Sequence, residues 1–146
     1  MKHRMLLLCI FAVGCASNSQ REEDKDLLSA TTGDWSATIS PRSGSDVRGE
    51  LKLQSVVVGS AANISITGAA AGAQHPWHVH TGTCSNSGPI VGSVSNYPLL
   101  TVGTDGRASA NATISTALSE GTSYIVNVHR STSDLGTIIG CGELKN

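Results

Sequence analysis

Aromatic side chains are scarce in this 146-residue chain: one Phe, two Trp and two Tyr make up 3% of it. With so little ring volume and 16 glycines, a domain of this length has a thin core, which a disulfide or a bound metal would reinforce. Charge is scarce too, with 14% Asp, Glu, Lys and Arg and a formal net charge of -1. No basic stripe interleaved with aromatics and no phosphate-cradling glycine loop occurs, which argues against nucleic acid as a partner. There is no internal repeat of useful length and no apolar span beyond the N-terminal one, and the chain suffices for one domain, not two. One narrower absence matters later: no histidine lies between His80 and His129.

The N-terminus has a clear order of parts. Met1-Lys-His-Arg precedes the apolar run Met5-Leu-Leu-Leu-Cys-Ile-Phe-Ala-Val-Gly, which meets Cys15. A basic patch, a short apolar run and small residues form a secretory signal, too short to span a bilayer as a stable helix. Ala12-Val13-Gly14-Cys15 resembles a bacterial lipoprotein cleavage box, which implies a signal peptide over 1–14 and lipid on Cys15. The lipid would anchor the chain to a membrane without spanning it. Residues 15–32, with Arg21-Glu-Glu-Asp-Lys-Asp, then read as a polar tether, and 33–146 as the folded domain. The expected location is the bacterial cell envelope; Ala16 after the cysteine suits the outer membrane facing the periplasm, by analogy with lipoprotein sorting.

Within the domain, β-rich runs at 35–40, 47–58, 62–68, 77–80, 99–102, 108–115, 123–130 and 137–144 are separated by Gly, Ser, Asn and Pro. That rhythm predicts an all-β antiparallel sandwich. Leu51, Leu53 and Ser55 alternate with Glu50, Lys52 and Gln54, one dry face and one wet. Asp105-Gly106 marks a tight turn, and Pro89 and Pro98 mark loops.

The densest chemistry is at residues 75–84, His-Pro-Trp-His-Val-His-Thr-Gly-Thr-Cys, which holds three of the five histidines. On an extended strand the period of two sets His78 and His80 on one face and Trp77 and Val79 on the other, toward a core. Two adjacent imidazoles can share an ion, and imidazole suits copper, zinc, iron or nickel. A third ligand is expected at His129, which shares the more polar face of its strand with Asn127. His75 is offset by one from the His78 and His80 face, so it is expected to be a buried, hydrogen-bonded support and not a ligand.

These motifs, followed by Cys84-Ser-Asn-Ser-Gly88-Pro89, Val126-Asn-Val-His129, Asp134-Leu135-Gly136 and Gly140-Cys141-Gly142, resemble copper/zinc superoxide dismutase in the same order. The His-x-His and Val-Asn-Val-His motifs are also similar to those of the CHRD domain. The resemblance implies a Greek-key β-sandwich or barrel, copper ligands at His78, His80 and His129, and a Cys84–Cys141 disulfide. The cysteine count agrees, since Cys9 leaves with the signal and Cys15 takes the lipid; two free thiols are the alternative, and export favours the disulfide.

The departures from that family define the expected function. Ile90 stands where a histidine bridges copper and zinc, Ser133 where an aspartate links the two metal sites, and Ile138 where an arginine guides anions. One copper ion is therefore expected and zinc is not. Arg130 is the candidate replacement guide, although strand alternation turns it away from His129. Three functions follow: a copper-only enzyme acting on superoxide, a protein that buffers copper or exchanges it with a donor or acceptor, and a CHRD-like structural module.

Overall fold

A computed structural model describes residues 31–146; the signal segment, Cys15 and nearly all of the tether lie outside the described residues. Within them the chain forms ten strands: β1 (Thr31–Pro41), β2 (Arg48–Val56), β3 (Gly59–Thr67), β4 (Gln74–His75), β5 (Trp77–Thr83), β6 (Asn86–Ile90), β7 (Leu100–Thr101), β8 (Ala108–Ile114), β9 (Tyr124–Ser131) and β10 (Asp134–Glu143). The only helical element among the described residues is one 3-10 turn, Val94–Asn96. Eight strands form an antiparallel sheet in the order β6-β5-β9-β10-β1-β2-β3-β8, and β4 and β7 pair separately. β10 returns to lie beside β1, so the last of the ten strands pairs with the first.

The sheet folds over on itself at β1. Along most of its length β1 pairs with β2, but at its end Ser40 and Pro41 pair with Cys141 and Gly140 of β10. Close approach there depends on glycine, since a Cβ on Gly140 would stand 2.9 Å from the Ile39 side chain. Two halves result, β1-β2-β3-β8 and β6-β5-β9-β10, and their inner faces share one core. Trp35, Ile39, Leu51, Leu53, Ile64, Ile66 and Ile114 come from one half, and Trp77, Val79, Val126, Val128 and Ile139 from the other. The expected alternation holds in β2, where Leu51, Leu53 and Ser55 are buried and Glu50, Lys52 and Gln54 are not.

The structure corrects several element boundaries. The run at 47–58 is not one strand: it turns at Val57 and Val58, both more than half exposed, and returns as β3. β1 starts at Thr31, ahead of the β-rich run read from Trp35. Pro89 lies inside β6 and not in a loop; β6 is an edge strand, where a missing N–H costs no ladder bond. The turn at Asp105-Gly106 is present, with Gly106 at φ 74° and its N–H donating to the Gly103 carbonyl at 3.1 Å.

The disulfide joins Cys84, just beyond β5, to Cys141 on β10. It closes a separation of 57 residues, for which chain entropy gives about 4 kcal/mol of stabilisation. A second fastening is polar. Buried Ser60 donates to the Thr116 carbonyl at 2.9 Å, and the Leu118 N–H donates to the buried Ser55 hydroxyl at 2.8 Å, tying the segment after β8 to the β2–β3 hairpin.

Candidate metal centre

The register of β5 against β9 builds the site. Trp77 pairs with Val128 and Val79 with Val126 on the core side, so His78, opposite Asn127, and His80, opposite Ile125, project from the other side. His129 lies two residues beyond Asn127 on that same side, and its N–H donates to the Pro76 carbonyl at 2.8 Å. The three histidines therefore converge: each offers one ring nitrogen, and these nitrogens lie within 4.8 Å of one another. The more polar face of β9, which carries Asn127 and His129, is buried: His78, His80, Asn127 and His129 are all at most 8% exposed.

Main-chain carbonyls orient two of the rings. His80 Nδ1 lies 2.9 Å from the Gly88 carbonyl and His129 Nδ1 lies 2.7 Å from the Leu135 carbonyl. A carbonyl only accepts, so each Nδ1 carries the proton and donates it, which leaves Nε2 of both rings with a free lone pair. His80 Nε2 is buried with no hydrogen-bond partner. His78 Nδ1 lies 3.0 Å from His129 Nε2. With His129 Nε2 unprotonated, His78 Nδ1–H donates to it in the metal-free chain, so within the trio it is His80 Nε2 that is buried without a partner, a lone pair that a cation satisfies. The trio fits a metal ion held by His78 Nδ1, His80 Nε2 and His129 Nε2.

Proton affinity points the same way. Burial, followed by the neighbouring His129 and His80, lowers the His78 pKa from 6.5 to about 4. Burial also lowers that of His129, against the opposing pull of the Leu135 carbonyl and with help from His80. Both imidazoles are thus neutral near pH 7, as ligation requires.

The other residues singled out in the sequence fall as follows. His75 is buried outside the trio, its Nδ1 2.8 Å from the Arg130 carbonyl and 3.2 Å from that of His129, so it holds the β9 main chain at the third histidine. The Arg130 side chain is half exposed and faces Asp134 at 3.7 Å. Ile90 pairs in register with His80 and packs against the core, and Ile138 pairs in register with His129. Ser133 is exposed and bonds Ser131. Sequence reasoning missed the Gly88 and Leu135 carbonyls, which carry no residue-type signal. It also missed Asn127, whose amide donates to Ser87 at 2.9 Å beside the site, and Tyr97, which packs on His78.

No protein-family model matches the chain, and no curated protein matches it. What the fold and the site define is an all-β domain, stapled by a disulfide, with a buried three-histidine cluster able to hold a metal ion.

Proposed function

We propose that this chain is a copper-binding protein of the bacterial cell envelope, held at a membrane by lipid on Cys15, with a site of the copper/zinc superoxide dismutase kind that lacks its zinc half. The observation that carries the reading is the convergence of His78, His80 and His129 with two tautomers set by main-chain carbonyls and one buried nitrogen left without a partner. Three imidazoles suit copper. Copper bound there would supply one-electron redox chemistry.

The residues around the trio favour holding the ion, and exchanging it with a donor or acceptor, over fast turnover. Ile90 and Ile138, the strand partners of His80 and His129, can neither carry a proton nor attract an anion, and the Arg130 charge is engaged by Asp134. Dismutation of superoxide is the second reading, favoured by the order of the motifs around the histidines. Metal analysis of protein isolated from the envelope, followed by a dismutase assay with added copper, tests both. One copper per chain with slow turnover supports storage or delivery, rapid turnover supports the enzyme, and a chain that takes up no copper overturns the proposal and leaves the structural module.

A further inference from the structure

His80 and His129 are each fixed through the nitrogen that faces away from the cluster, but His78 is not. Among the described residues the one hydrogen-bonding contact of its ring is Nδ1 to His129, the contact that ligation would replace. What its ring does meet is Tyr97, edge to face, with centroids 5.3 Å apart and planes at 86°. Tyr97 is itself held. Its ring packs on Trp77 at 5.1 Å and 85°, and its hydroxyl donates to the Val91 carbonyl at 2.7 Å. The segment that presents it is pinned at both ends: the Val91 N–H donates to the Val79 carbonyl at 2.9 Å, and Trp77 Nε1 donates to the Pro98 carbonyl at 2.8 Å. Between them the 3-10 turn is capped by Ser93. Both ends of the segment are thus tied to β5, the strand that carries His78.

We infer that Tyr97 is a positioning residue for His78, a rigid aromatic wall that selects the rotamer in which Nδ1 faces His80 and His129. It does by packing what the Gly88 and Leu135 carbonyls do by hydrogen bonding. The inference rests on the copper reading only for its effect on affinity; the restraint on the ring exists without metal.

The test separates the two. In metal-free protein, histidine-ring NMR should show one set of His78 resonances with nuclear Overhauser contacts to the Tyr97 ring. Tyr97→Leu should broaden or split the His78 lines and leave those of His80 in place, whereas Tyr97→Phe should leave both unchanged. With copper(II) added, Tyr97→Leu should lower affinity about 10- to 100-fold and make the electron paramagnetic resonance signal heterogeneous, with Tyr97→Phe within about threefold of the parent. Leu53→Ala, on the far half of the sandwich, controls for lost stability and should leave the copper signal unchanged. Identical His78 lines in parent and Tyr97→Leu would overturn the inference. Should that variant not fold, absence of the Tyr97–His78 contact in the parent overturns it equally. If the NMR pattern holds and no copper binds, the metal reading falls and the positioning role stands.

Discussion

Acidification should destabilise the metal-free protein through His78. Its pKa is about 4 in the folded chain against 6.5 for an ordinary imidazole, so as pH falls the unfolded chain takes up this proton first. The contribution to stability is therefore fully present above pH 6.5 and drains away as pH falls toward about 4. Taking those two values, the loss between pH 7 and pH 5 is about 2 kcal/mol from His78 alone. His129, shifted in the same direction, adds to it. For a domain of this size the His78 loss corresponds to a fall in Tm of roughly 6–12 °C. Urea or thermal unfolding of metal-free protein at both pH values, beside His78→Gln, reads it out. The variant cannot bind the proton in either state, so its stability should fall by about 2 kcal/mol less than the parent's over that interval. Equal pH dependence in the two proteins would refute the reasoning, because it would mean that the His78 ring takes up its proton in the folded chain as readily as in water.

Three further outcomes are expected. Gly88→Ala puts a Cβ 2.5 Å from the Thr81 hydroxyl and 3.0 Å from its carbonyl, so β6 must move off β5 and withdraw the carbonyl that fixes His80; calorimetric metal titration should show affinity reduced about 10-fold or more, with stability down about 1–3 kcal/mol. Replacing Cys84 and Cys141 with serine should cost about 4 kcal/mol in urea unfolding under oxidising conditions, and a reductant should lower the parent toward the variant and leave the variant unchanged. Ser55→Ala leaves the buried Leu118 N–H without an acceptor and should cost about 1–3 kcal/mol by thermal unfolding, with no effect on metal uptake.

The fold was readable where side chains alternate and obscure where they do not. Leu51 and Leu53 against Lys52 and Gln54 announce β2 unaided, because a half-buried strand sorts its residues by face. Val57 and Val58 extended that strand in the sequence because valine suits strands, but the chain turns there and leaves both in solvent. β6, as Asn86-Ser-Gly-Pro-Ile, reads as a turn; it becomes a strand by pairing with β5 alone, an interaction no local pattern encodes. The three histidines were legible from the His-x-His spacing and from the place of His129 on its strand. What holds them was not. The Gly88 and Leu135 carbonyls belong to a backbone common to all residues, and Tyr97 is brought onto His78 by a turn 19 positions along the chain.

The most direct test of the central claim is pulsed electron paramagnetic resonance on protein loaded with one equivalent of copper(II), counting the imidazole nitrogens coupled to the metal in the parent and in His78→Ala, His80→Ala and His129→Ala. Three coupled imidazoles are expected in the parent, with the loss of one, or of the bound ion altogether, in each variant. A spectrum that none of the three substitutions alters would place the copper elsewhere on the molecule and contradict the account.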